Sequence, residues 1–348
     1  MILLTSDKSL FSKLCKVVFC VFVLITTFAC ASQNVQNRTI SKDAEQTILE
    51  KVRHNIVKVD VGLEEGARTV DFSVSYPDGK GKYPLIVFSH GHALDNLSYR
   101  NLTDYWVERG YVVVAPLHLD SGGDLEVTSK ITEKYGSDWI AASRLLELGT
   151  AIDQAQQIAT QLESFQGEIL TDKVIAAGHS YGALSSQQLS GAKVELLGNS
   201  IYPIPETLVN DRVVAVVAVS PPGLMKDHLS EVTWQEYSTP QIVVTGPNDF
   251  FPFIWPNYED HFISYETALP GNNYLLVLDE MDHYLGNLIG RLERDGPPQT
   301  LALTNLREIS MQFIEYHLSS KRSENSAESF STYLTSLTKD GVLRFEHR

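Results

Sequence analysis

The residues best placed to do chemistry are Gly178-His179-Ser180-Tyr181-Gly182. The apolar run Val174-Ile175-Ala176-Ala177 precedes them, and Ala183 to Leu189 follows with a helical pattern. Strand, sharp turn and helix with a serine at the apex form a nucleophile elbow, which lifts a hydroxyl clear of the end of a sheet. The flanking glycines have a steric reason, because side chains two residues either side of the serine would meet the neighbouring strand or helix. A serine at its ordinary pKa is a weak nucleophile. It needs a base, and the base needs an orienting acid.

Both can come from loops after later strands. Asp249 lies in Thr245-Gly246-Pro247-Asn248-Asp249, just past an apolar run at 241–245. His283 lies in Asp279-Glu280-Met281-Asp282-His283, just past another at 274–278. Asp282 is a rival acid, but a neighbour in sequence is badly placed to meet the imidazole edge-on. An oxyanion hole needs two backbone N–H groups. Tyr181 supplies one, and His92 in Ser89-His90-Gly91-His92 is expected to supply the other, with Gly91 allowing close approach. Whether the His92 side chain lines the pocket or faces water is left open. His90 is expected to tie its loop together by hydrogen bonds.

The histidines at 54, 118, 179, 228, 261, 317 and 347 read as surface or satisfied core residues. His90-x-His92 with Asp95 superficially matches a metallo-hydrolase run, but the aspartate stands one residue too far along, so no metal is expected. Phe250, Phe251, Phe253 and Trp255 crowd the loop after Asp249. They read as satellite core or as the wall of an acyl pocket.

The elements that must position these groups follow from periodicity. Val57, Val59 and Val61 alternate, as do Val70, Phe72, Val74 and Tyr76, predicting two strands within 54–76. Further strands are predicted at 85–88, 111–115, 174–177, 213–219, 241–245 and 274–278. Helices are predicted at 96–109 and 300–318, and a long one carries Leu145, Leu148, Ile152, Ala155 and Leu162 on one face. The polar stretch 120–137 reads as a loop over the sheet, 319–329 as a mobile link, and 342–345 as a small terminal strand. Strands apolar throughout and alternating with helices predict an α/β fold with a mostly parallel sheet covered on both sides.

The chain has 348 residues, 43% of them hydrophobic, which suits one large α/β domain or two small ones. Its net charge is −15 with no basic cluster, which argues against nucleic acid as a partner. The cysteines are Cys15, Cys20 and Cys30, so the body has no disulfide and no thiolate metal site. Lys8, Lys13 and Lys16 precede a mostly apolar run from Val17 to Ala29, then Ala29-Cys30-Ala31-Ser32. This reads as an export signal over 1–31, too short for a transmembrane span. Ordinary cleavage after Ala31 competes with a lipobox, Thr27-Phe28-Ala29-Cys30, that would leave Cys30 lipidated and anchor the chain to a membrane. Residues 32–53 read as a polar tether and 54–348 as the folded domain. The expected location is secreted, or a periplasmic or outer-membrane lipoprotein.

These motifs resemble the α/β-hydrolase superfamily, and more narrowly the bacterial dienelactone-hydrolase-like and platelet-activating-factor acetylhydrolase-like serine esterases. The carriers are Pro84 to Gly91, Arg144 to Asp153, Gly178 to Gly182, Ala215 to Pro221, Val243 to Gly246 with Asp249, and Leu275 to His283. The acetylhydrolases place their acid after the strand that here ends Val219-Ser220-Pro221. Ser220 cannot serve, so the acid moves to Asp249. Dienelactone hydrolases proper use a cysteine where Ser180 stands. The arrangement is also similar to polyester hydrolases and cutinases, which lack a lid, and no large cap domain is expected. The resemblance implies a serine esterase that acts without a cofactor on small or polymeric esters. An exopeptidase or amidase with the same triad, and a non-catalytic surface lipoprotein that kept the fold, are the alternatives.

Overall fold

In the computed structural model, the described residues are 52–319 and 340–348, apart from Leu63, Glu64 and Asp227. The export signal, Cys30 and the tether lie outside them, as does the expected link beyond Ser319. No helix among the described residues is long and apolar enough to cross a membrane.

The strands are β1 (Val52–Val61), β2 (Arg68–Pro77), β3 (Lys82–Ser89), β4 (Val112–Pro116), β5 (Glu168–His179), β6 (Val213–Val219), β7 (Gln241–Thr245), β8 (Asn273–Leu278) and β9 (Val342–His347). They form one sheet in the order β1-β2-β4-β3-β5-β6-β7-β8-β9. Pairing is parallel from β4 through β3, β5, β6 and β7 to β8, and antiparallel for β1–β2, β2–β4 and β8–β9. The helices are α1 (Arg100–Val107), α2 (Leu125–Tyr135), α3 (Ser137–Asp153), α4 (Ala155–Ala159), α5 (Tyr181–Leu189), α6 (Ile263–Thr267) and α7 (Thr300–Leu318).

The central strands are apolar through their middles because both faces of the sheet are covered there. Ile86, Phe88, Val113, Ile175, Val217, Val244 and Leu276 point to one face and pack with Leu102 and Trp106 of α1 and Leu306, Ile309 and Phe313 of α7. Their neighbours Leu85, Val87, Val112, Val174, Val216 and Val243 point to the other, against Leu145, Leu148 and Ile152 of α3. The period of two in a strand sends alternate residues into separate cores. Each such side chain contributes roughly 1.5–3 kcal/mol of burial.

Three expectations need correction. The first strand opens at Val52, two residues before the expected start of the domain. The polar stretch 120–137 is not all loop, since it contains α2. Asp124 caps that helix by accepting from the Glu126 N–H, and Glu126 pairs with Lys130 one turn on. The long helix breaks at Gln154 into α3 and α4, although Leu145, Leu148, Ile152, Ala155 and Leu162 still share one core. The stretches after β4 and after α5 carry one short helix and no regular element, respectively.

The elbow glycines are explained by the joint between β5 and α5. A Cβ on Gly178 would overlap the Gly182 carbonyl, and one on Gly182 would overlap the Ser89 carbonyl at the end of β3. Glycine at both positions lets the helix start directly against two strand ends, which places Ser180 above the sheet.

Candidate active site

Ser180 sits between β5 and α5 with φ 55° and ψ −123°, a conformation an L-residue adopts only under constraint. Its N–H donates to the Val219 carbonyl at 2.9 Å, and its own carbonyl accepts from Ala183 N–H at 2.9 Å. Strain of this kind costs on the order of 1–3 kcal/mol and clusters at functional sites.

Asp249 and His283 meet because their loops run side by side. Asn248 bridges to Asp282, and Asn248 N–H donates to the Met281 carbonyl at 3.1 Å. His283 Nδ1–H then donates to Asp249 Oδ1 at 2.7 Å, and Thr245 Oγ1–H donates to Oδ2 at 2.7 Å. The carboxylate is fully buried. Burial alone would raise its pKa, but the facing rings of His261 and His283 outweigh it and hold the group well below the usual carboxylate range. Asp282 does a different job, accepting the N–H groups of Tyr284 and Gly286.

His179, beside the serine, ties the site together. Its Nε2–H donates to the His283 carbonyl at 2.7 Å, and the two rings lie 4.6 Å apart. A carbonyl only accepts, so Nε2 carries the proton and Nδ1 accepts from the Tyr99 hydroxyl at 2.9 Å. That hydroxyl in turn accepts from Gly91 N–H at 3.1 Å. One chain of hydrogen bonds therefore links the loop after β3, the serine turn and the loop after β8. Burial, assisted by the His283 ring, pushes the His179 pKa well below its usual value, so the ring stays neutral.

The loop after β3 passes close to the serine, for a Cβ on Gly91 would lie 3.4 Å from Ser180 Cβ. Arg144, fully buried on α3, holds this loop. Its Nε and Nη2 fork onto Asp120 at 3.0 and 2.9 Å, and Nη1 donates to the His90 carbonyl at 2.7 Å. The guanidinium also lies 4.5 Å over the Tyr181 ring. Asp120 accepts from His92 Nδ1–H at 2.8 Å, so one edge of that ring is held by the fork while the side chain stays partly exposed. Burial would raise the Asp120 pKa, but Arg144 and His92 outweigh it and hold the carboxylate charged. His90 ties its loop as expected, donating to the Gly91 carbonyl and accepting from His118 N–H. The same fork thus fixes the two residues, His92 and Tyr181, expected to offer oxyanion N–H groups.

The aromatic loop divides. Phe251 lies edge-on to His283, with centroids 4.7 Å apart, and Trp255 lies 5.6 Å from His261, whereas Phe250 and Phe253 are exposed. A cavity of about 480 Å³ lies beyond the far end of α5, lined by Lys193, Ile204, Leu208, Val232 and Tyr237, away from Ser180.

The sequence reading missed His261. It is buried, with Nε2 3.2 Å from Asp249 Oδ1. Asp249, His261 and His283 bring their ligand atoms within 4.8 Å of one another. His283 presents an N–H to the carboxylate rather than a lone pair, so the group is arranged as hydrogen-bonded charge rather than as ligands for an ion. Arg144, Asp120, Tyr99 and Thr245 were also not singled out as site residues. The i, i+3 pair Arg144 and Glu147 within an otherwise apolar helix face was the available signal for the first.

A family model described as Chlorophyllase matches residues 30–191. The match takes in the loop after β3, Arg144 and the elbow, and it ends before Asp249 and His283. The match and the sheet order support the α/β-hydrolase superfamily for this chain. No curated protein matches it. The matched family is one of serine esterases with this fold, which supports ester hydrolysis by this hydrolase. The narrower likeness to dienelactone-hydrolase-like and acetylhydrolase-like esterases rests on the motifs alone.

Two outcomes are expected. Ser180→Gly relieves the positive φ and raises stability by about 1 kcal/mol, because the strain released exceeds the extra entropy of an unfolded glycine. Thermal unfolding measures this, and a lowered Tm contradicts it. Arg144→Lys keeps the charge but loses the fork onto Asp120 and the loop carbonyls. It lowers kcat roughly 10- to 100-fold with KM changed less than about threefold. Steady-state ester kinetics read the split, and a rise in KM at constant kcat counts against it.

Proposed function

We propose that this protein is an exported carboxylic ester hydrolase working through Ser180, His283 and Asp249. The observation that carries the reading is a buried, charged Asp249 at 2.7 Å from His283 Nδ1, with the His283 carbonyl bonded by His179, the residue before a serine held at positive φ. Ser180 Oγ attacks the ester carbonyl while His283 Nε2 takes its proton. Asp249 keeps the Nδ1–H tautomer and stabilises the imidazolium. The N–H groups of Tyr181 and His92 receive the oxyanion. Tyr181 is the first residue of α5, so its N–H has no carbonyl one turn back within the helix. His283 next gives its proton to the leaving alcohol, and water, activated by the same imidazole, releases the acid and frees Ser180.

Several features support an ester with an apolar portion. Phe250 and Phe253 stand exposed on the loop that carries Asp249, and Leu224 is exposed where its carbonyl accepts from Trp255 Nε1. Exposed apolar groups clustered beside a site mark a surface for apolar ligand. Export, with Cys30 either lipidated or removed, belongs to the same proposal and rests on the pattern at 8–32.

Ser180→Ala is expected to lower turnover of short p-nitrophenyl esters by at least about 10⁴-fold without loss of folded structure. Initial rates with circular dichroism test this, and turnover retained within tenfold rejects the assignment.

A further inference from the structure

His261 is the strongest feature that the mechanism leaves unused. It lies in the short helical turn Tyr258–Phe262 and is fully buried. Its Nδ1 is 2.5 Å from the Pro221 carbonyl, just past β6. Its Nε2 is enclosed, makes no aligned hydrogen bond, and stands 3.2 Å from Asp249 Oδ1. The carbonyl can only accept, so Nδ1 carries a proton. A neutral ring would then point the Nε2 lone pair at a carboxylate oxygen, two electron-rich atoms both buried from solvent. Protonating Nε2 converts that repulsion into an ion pair.

We infer that His261 is held as an imidazolium and acts as a fixed countercharge to Asp249, a positioning residue that sets how far into acid the hydrolase keeps working. The inference rests on the Ser180–His283–Asp249 reading. Burial opposes the charge on His261, but Asp249 outweighs it and holds the ring above the ordinary histidine value. The other groups facing it are few among the described residues. His283 lies 6.0 Å away, centroid to centroid, Asp260 is its chain neighbour with the carboxylate engaged by Asn257 N–H, and His179 stands at the end of β5. The Trp255 ring covers it at 5.6 Å.

The consequence has a definite sign. A positive charge about 6 Å from His283 opposes a second positive charge there, and it shares Asp249 Oδ1. With a neutral residue at 261 that opposition is lost, and activity is expected to fail at a higher pH than in the wild type. With an effective dielectric near 20, the displacement is roughly one to two pH units.

Glutamine at 261 can still donate to Asp249 but carries no charge. The measurement is kcat/KM for a short aliphatic ester by pH-stat, at pH 5 and pH 8, for wild type and His261→Gln. The ratio of the pH 5 value to the pH 8 value is expected to fall about tenfold or more in His261→Gln. An unchanged ratio, whatever the absolute rates, overturns the proposal. A second measurement stands without the variant and decides the matter if it fails to fold. Nitrogen-15 spectra of the wild type should show both ring nitrogens of His261 protonated at pH 7, and a single protonated nitrogen overturns the proposal. The Ser180→Ala rate at pH 8 reports separately on the triad, so failure of that reading is distinguishable from failure of this one.

Discussion

A carboxylate withdrawn from water must be surrounded by donors, and the carboxyl-end loops of β7 and β8 are arranged to surround Asp249. Leaving such a group unpaired costs several kcal/mol, so the loops are not free to drift. Thr245 at the end of β7, His283 after β8 and His261 after the aromatic loop each point a polar atom at its oxygens. The need to satisfy one buried charge thus becomes the means of orienting one imidazole. The bridge between Asn248 and Asp282 brings the two loops into line before any side chain is considered.

The opposite side of Ser180 uses the same device with different residues. Arg144 and Asp120 form a fully buried fork, and from it hang the carbonyls of the loop after β3, the His92 ring and the face of Tyr181. Buried ion pairs of this kind seldom add net stability, because desolvation offsets the Coulomb attraction. What they add here is position. Between the two charge systems, neutral His179 passes hydrogen bonds from Gly91 through Tyr99 to the His283 carbonyl. The strained turn at Ser180 is held on both sides, which is how a backbone of positive φ persists at a serine.

Much of this was legible in the chain. The elbow was readable because two glycines and a serine at fixed spacing have a steric cause that the backbone alone explains. Apolar runs marked the buried middle of every parallel strand, whereas the polar start of β5, from Glu168 to Lys173, gave no such signal. Ser180, Asp249 and His283 could be proposed as a set because each follows a strand end, and the structure brings Asp249 and His283 together. The helix at 125–135 was hidden by its own polarity, with one buried residue, Thr128, among eleven. Its capping aspartate and the glycine beyond it were the readable signals. His261, Asp120 and Tyr99 stayed obscure for a different reason. Their partners lie 12 to 80 positions away, at |i−j| of 80 for Tyr99 and His179, 24 for Asp120 and Arg144, and 12 for His261 and Asp249, and no local pattern encodes such a meeting.

Hydrolysis by this site requires that Ser180 be a nucleophile activated by His283. Reaction with a fluorophosphonate, followed by peptide mapping, reads this directly, because the reagent captures only a hydroxyl whose proton a neighbouring base removes. The account predicts one adduct per chain, on Ser180, with the labelling rate reduced at least about 10³-fold in His283→Gln. An adduct on another residue, or labelling of His283→Gln at the wild-type rate, would contradict it.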